Sequence, residues 1–163
     1  MPFKTADLTD EFCNNNCDDV QAAGMTFNSY GGKSRFYGEI VTLKVLEDNQ
    51  LLRDQVYSDG TGKVLVVDGG ASMRRALMGD MLAATAVENG WSGVIINGCI
   101  RDSLDMATMQ LGVLALGTHP LKTVKAGVGQ TNVSIQFSGL TFEPANFIYS
   151  DEDGIIISEK PLV

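Results

Sequence analysis

The residues best suited to chemistry in this chain are Arg101 and Asp102, adjacent in "GVIINGCIRDSLD" where an apolar run gives out. A guanidinium can grip a carboxylate or an enolate oxygen in a two-pronged fork, and a neighbouring carboxylate can hold a hard divalent cation directly or through the cation's waters. The pair therefore suits an oxyanion formed next to a carboxylate. The same two residues also fit a polar turn, because an aspartate before "SLDM" is an ordinary helix N-cap. A second segment, "VLVVDGGASMRRALMGDMLA", offers a helix start at Gly79, Asp80, Met81 and Leu82, whose unpaired backbone N–H groups and dipole favour an anion such as a carboxylate. The glycines at 69, 70 and 79 suggest a phosphate loop only weakly, since neither G-x-G-x-x-G nor the Walker spacing is present.

The elements that must position these residues are legible as hydrophobic patterns. "KVLVVDGG", "GVIIN" and "GVLALG" are short continuous apolar runs bounded by turn residues, which fit strands buried on both faces. Between them, "GDMLAATAVENG" reads as a helix with Leu82, Ala83, Ala86 and Val87 on one face and Gly90 as its stop, and "DSLDMATM" as a shorter helix. Strand-helix-strand order of this kind implies parallel pairing with right-handed crossovers, and the ends of such strands form the usual ligand crevice. Upstream, Gly38 to Leu46 alternates as a strand, "DNQLLRDQVYSDGTG" reads as a short helix, and Thr5 is the expected N-cap of an opening helix with Leu8 and Phe12 on one face. After Pro120 the short runs separated by Gly, Pro and Asp suit antiparallel strands.

Composition narrows the function classes. With 163 residues, 44% hydrophobic and 20% charged, the chain fits one domain with a sizeable core. A net charge of −8 has the wrong sign for non-specific binding to nucleic acid or an anionic membrane. No apolar run approaches the roughly 20 residues of a membrane helix, and the acidic N-terminus does not read as a signal peptide, so a cytoplasmic protein is expected. Cys13, Cys17 and Cys99 are expected as reduced structural thiols, and a lone His119 before Pro120 as a turn residue, which argues against Ser-His-Asp or Cys-His hydrolysis.

From about Thr5 to Leu162 the sequence resembles the RraA-like family, which includes regulators of ribonuclease E activity and 4-hydroxy-4-methyl-2-oxoglutarate aldolases. The likeness is carried by "YGGKSRFYGEIVTLK", "DNQLL", "GKVLVVDGG", "RRALMGDMLA", "GVIINGCIRD" and "GIIISEKPL". The resemblance implies an α/β fold over residues 1–163, a single β/β/α swivelling-type domain with a central partly parallel sheet and an additional antiparallel β layer. It also implies a homotrimer with sites near subunit boundaries. By position, Gly79, Asp80, Met81 and Leu82 would surround the pyruvyl end of a small 2-oxo acid substrate, Arg101 would bind its oxygens, and Asp102 would position a divalent cation, magnesium or manganese. Regulators of the family can lack the aspartate after the arginine, whereas this chain has it. Longer aldolases extend past the final strand with a helix that delivers an acidic residue to a neighbouring site, whereas this sequence ends at Val163.

The expected reaction is metal-dependent retro-aldol cleavage of 4-hydroxy-4-methyl-2-oxoglutarate to two pyruvates, with oxaloacetate decarboxylation as a secondary activity through the same enolate. Asp80 would orient the water that carries the proton. The alternative is a non-catalytic regulator that binds and inhibits ribonuclease E. A Schiff-base aldolase would need Lys44 or Lys63 as nucleophile, and these are expected on the polar face of a strand and at a strand entrance.

Overall fold

The computed structural model describes residues 3–13 and 17–163. The chain opens with α1 (Thr5–Phe12), β1 (Val20–Gly24) and β2 (Asn28–Ser29). Crossover units follow: β3 (Phe36–Lys44), α2 (Gln50–Val56), β4 (Lys63–Asp68), β5 (Ala76–Met78), α3 (Asp80–Glu88), β6 (Gly93–Ile100), α4 (Ser103–Met106) and β7 (Gly112–Thr118). Five short strands complete it: β8 (Gln130–Thr131), β9 (Ile135–Phe137), β10 (Leu140–Phe142), β11 (Phe147–Ser150) and β12 (Gly154–Ser158).

The main sheet runs β1-β12-β11-β3-β4-β6-β7-β2, with β3, β4, β6 and β7 parallel and the flanking strands antiparallel. Strands paired in chain order through right-handed crossovers put all their helices on one face. Alternation along β4 and β6 divides the core accordingly. Leu65, Val67, Val94 and Ile96 pack under α2, α3 and α4 against Leu52, Val56, Ala83, Ala86 and Met106. Val64, Val66 and Ile95 face the other way, onto Ile135, Leu140 and Phe142 of the separate β9–β10 hairpin. The layers are therefore helices, mixed sheet and small antiparallel sheet, the β/β/α order expected.

β1 and β2 occupy opposite edges of that sheet although only residues 25–27 separate them. Four peptide steps span at most about 15 Å, whereas eight strands laid flat would spread about 34 Å. The sheet must curl until its edges approach, and Ala23, Met25 and Phe27 pack into the core it encloses.

Several local expectations are corrected. Thr5 is the first residue of α1, not its cap: Lys4 occupies the cap position without a side-chain bond, and Phe12 is exposed. Val87 is exposed on α3 as well. Cys13 and Cys17 form a disulfide between the C-cap of α1 and the turn before β1, where reduced thiols were expected. Gly90 does stop α3: at φ +81° it lets Trp91 N–H reach the Ala86 carbonyl (3.0 Å) and Gly90 N–H the Val87 carbonyl (3.1 Å), a paired closure that favours glycine.

Thr5 instead anchors α1 to the sheet. Its N–H and Oγ1 each donate to the buried Asp151 carboxylate at 2.7 Å, and Asp153 N–H adds a third bond at 3.0 Å. Burial alone would raise the Asp151 pKa, but these donors outweigh it and the value is lowered. A lowered folded-state value stabilises the protein above the unfolded value of about 3.9 and ceases to do so as pH falls through the folded one. Asp151→Asn, which turns an N–H donor toward donors, should cost about 2 kcal/mol at neutral pH in denaturant titration, with the gap to the unsubstituted protein closing in acid. Equal stability at neutral pH would contradict this anchoring role.

Candidate active site

The two segments singled out above meet because β5 pairs in parallel with the end of β6, Ala76 opposite Cys99 and Met78 opposite Ile100. β6 runs on to Ile100, beyond the "GVIIN" expected as its strand, with an irregular register against β7 between Ile96 and Cys99. Such irregularities re-aim the residues that follow. Arg101 N–H then donates to the Met78 carbonyl (2.9 Å), which sets Arg101 and Asp102 beside Gly79 and Asp80.

Asp102 adopts a left-handed backbone, φ 57° and ψ 40°, which aspartate tolerates better than most residues. It stands at the N-cap position of α4 but gives that helix no side-chain bond. Its Oδ2 instead accepts the N–H of Asp80 (3.2 Å), the first residue of α3, and stands 3.8 Å from Arg101 Nε. The turn-and-cap reading is thus correct for the backbone, whose carbonyl accepts from Asp105 and Met106, and incorrect for the carboxylate. Gly79 is required by this approach, because a Cβ there would fall 2.6 Å from Asp102 Oδ2.

Gly79, Asp80, Met81, Leu82, Arg101 and Asp102 all line one cleft of about 210 Å³. Asp80 Oδ1 accepts Met81 N–H (2.8 Å), and Arg101 Nη1 donates to the Pro120 carbonyl (3.3 Å). Arg101 and Asp102 remain 39% and 36% exposed at the side chain, and Met81 is 79% exposed at the mouth. Among the described residues no three His, Cys, Asp or Glu side chains converge as a metal cluster. Lys44 and Lys63 do not line the cleft: Lys44 ends β3, and Lys63 opens β4 with its Nζ on the Asp59 carbonyl (3.2 Å). His119 accepts Leu121 N–H at Nδ1 (3.1 Å), a turn role.

The cleft also recruits residues that the sequence did not mark. Asn49 and Thr123 are buried in its wall, and Asn49 Oδ1 and Thr123 Oγ1 have no hydrogen-bond partner among the described residues. Asn49 Nδ2 is fixed on the Leu77 carbonyl (3.0 Å). Arg53, Tyr57, Lys122 and Lys125 also line it. Asp48 secures this wall, accepting Gln50, Ala126 and Val128 N–H groups at 3.0–3.1 Å. Burial would raise the Asp48 pKa, yet these backbone donors lower it, so the carboxylate stays charged where the loop needs it.

The profile of the RraA-like family, described as Aldolase/RraA, matches residues 5–157. The chain belongs to the RraA-like family. Within it, a protein of Aromatoleum aromaticum named "Putative 4-hydroxy-4-methyl-2-oxoglutarate aldolase" is 53% identical over 163 residues, all of both chains. The solved structure of the RNA-processing inhibitor RraA from Thermus thermophilis superposes with a TM-score of 0.94 at 39% identity, covering 100% of this chain and 96% of that one. A structure named S-adenosylmethionine: 2-dimethylmenaquinone methyltransferase, from Geobacillus kaustophilus, gives a TM-score of 0.93 at 47% identity over 98% and 97% of the two chains. These RraA-like relatives share the fold and carry three different functional names, so activity must be argued from the cleft.

The contact between Gly79 and Asp102 is directly testable. Gly79→Ala should displace the Asp102 carboxylate and release the Asp80 N–H, seen as a shift of the Asp80 amide resonance, while stability falls by only about 1 kcal/mol. An unchanged Asp80 amide would contradict the geometry.

Proposed function

We propose that this RraA-like chain is a lyase that cleaves 4-hydroxy-4-methyl-2-oxoglutarate into two pyruvates, with oxaloacetate decarboxylation as a secondary activity. The observation that carries the reading is the convergence of the Arg101 guanidinium, the Asp102 carboxylate and the α3 N-terminus on one cleft. The name of the relative at 53% identity supports the same reaction class.

The N-terminal turn of α3 suits the substrate's C1 carboxylate at Leu82, because that N–H has no acceptor among the described residues while those of Asp80 and Met81 are taken by the Asp102 and Asp80 carboxylates. Arg101 then faces the 2-oxo group, where negative charge accumulates as the bond between C3 and C4 breaks. Asp80, through a water, takes the proton of the 4-hydroxyl, whose electrons form the carbonyl of one pyruvate. The C3–C4 electrons pass to the 2-oxo oxygen as the enolate of the other, which is protonated at C3. Oxaloacetate loses carbon dioxide to the same enolate, so one arrangement serves both substrates.

The donor set fits magnesium or manganese at Asp102. Only Oδ2 of that carboxylate is engaged by protein groups among the described residues, and a hard cation that keeps most of its waters needs one or two carboxylates. When bound, the cation supplies a second positive charge at the developing enolate oxygen.

A homotrimer fits the exposure of Met81 and Leu104 (79% and 87%) beside the cleft, which a neighbouring copy would cover. Light scattering should give a trimer or a multiple of it at micromolar concentration, and a monomer mass would contradict this. The second reading, a regulator of ribonuclease E, is favoured by the 39% identity to the Thermus RNA-processing inhibitor, and the net charge of −8 is compatible with it. Binding to purified ribonuclease E, measured beside pyruvate release, separates the two.

Asp102→Asn keeps an acceptor for Asp80 N–H and tolerates the left-handed backbone, so folding should be unchanged while turnover drops by about 100-fold or more. Arg101→Lys keeps the charge but loses the planar fork, and should lower kcat by about 100-fold with little change in melting temperature. Excess EDTA should abolish turnover. A folded Asp102→Asn protein of ordinary activity would reject the site, and full turnover in EDTA or borohydride trapping of a substrate–lysine adduct would reject the cation.

A further inference from the structure

The cleft has two chemically distinct ends. The stretch 120–125 gives Lys122, Thr123 and Lys125 to its lining, and its backbone ties the other segments together: the Pro120 carbonyl accepts Arg101 Nη1 (3.3 Å), Thr123 N–H donates to the Ala76 carbonyl (3.3 Å), and the Val124 carbonyl accepts Asn49 N–H (3.1 Å) just before α2. Arg53 rises from α2 one turn after Asn49, its guanidinium carbon 5.2 Å from the centre of the Tyr57 ring. Such a contact restrains an arginine without neutralising it.

Charge sets this end apart. In a chain of net charge −8, the cleft is lined by four cations, Arg53, Arg101, Lys122 and Lys125, against the two carboxylates Asp80 and Asp102. Arg53, Lys122 and Lys125 form no ion pair among the described residues. Buried in the same wall, the Thr123 hydroxyl lacks a hydrogen-bond partner among the described residues, a feature that calls for an explanation in a native fold. A basic cleft in an acidic protein concentrates small anions against the overall field, and here it offers more positive charge than one carboxylate at the α3 end would use.

We propose that Arg53, restrained by Tyr57 and assisted by Lys125, receives the second carboxylate of a 2-oxo dicarboxylic acid and makes the protein selective for dicarboxylates over monocarboxylates. This assignment rests on the aldolase reading for the orientation of the substrate. A bidentate guanidinium contact with a carboxylate gives both affinity and geometry, so its loss should fall on ligands that carry the second charge.

The test is calorimetric binding, in magnesium, of 2-oxoglutarate and of 2-oxopentanoate, which has a methyl group in place of the distal carboxylate. Neither carries the 4-hydroxyl needed for cleavage, so binding is read apart from turnover. The unsubstituted protein should bind 2-oxoglutarate at least about tenfold more tightly. Arg53→Gln should reduce that preference to below about threefold by weakening the 2-oxoglutarate arm, and Arg53→Lys should retain part of it. Equal binding of the two acids by the unsubstituted protein, or a uniform loss of both in Arg53→Gln, would overturn the proposal. A preserved preference beside an absence of cleavage of 4-hydroxy-4-methyl-2-oxoglutarate would leave the dicarboxylate subsite standing and reject the aldolase reading.

Discussion

The site depends on one carboxylate being turned away from its own helix. Asp102 stands where it could cap α4, yet its left-handed backbone swings Oδ2 onto the N–H of Asp80 at the head of α3. That contact joins the end of β6 to the start of α3, and it leaves the guanidinium of Arg101, the carboxylate of Asp102 and the first turn of α3 on one wall. Gly79 is the steric condition, since any Cβ there would occupy the space of the carboxylate oxygen. The left-handed conformation carries a local cost of the kind found at functional sites.

The fold supplies the rigid frame for this contact. Parallel strands β4 and β6, buried on both faces, fix the register from which β5 and the residues after Ile100 emerge together. The helices fill one face and the β9–β10 hairpin the other, so the strand ends are held from both sides. Opposite them, Asp48 stays ionised under three backbone N–H groups and fixes the loop that carries Thr123 and Lys125. The cleft is a junction of four chain segments, each held by backbone bonding.

The crossover units were legible because continuous apolar runs such as "KVLVVD" and "GVIIN" have few other homes than a buried parallel sheet. The edge strands were not: "VQAAG" and "NS" lack apolar periodicity and are strands only because β12 and β7 present open edges to them. β5 has three residues, too few to show a period. At the site, the nearness of Arg101 to Asp102 and the helix start at Asp80 could be read directly. The direction of the Asp102 carboxylate could not, because residue type allows both a cap and a left-handed turn. Arg53, Asn49 and Thr123 come from an ordinary amphipathic helix, its start and a loop, and they acquire meaning only through packing between residues far apart in sequence.

The RraA-like fold is shared by proteins named for carbon–carbon cleavage and for inhibition of RNA processing, so the decisive observation is chemical. Proton NMR of 4-hydroxy-4-methyl-2-oxoglutarate incubated with the protein and magnesium counts pyruvate formed against substrate consumed. The account predicts two pyruvates for each molecule lost, at a rate proportional to protein concentration. Unchanged substrate in the presence of folded protein and magnesium would contradict it.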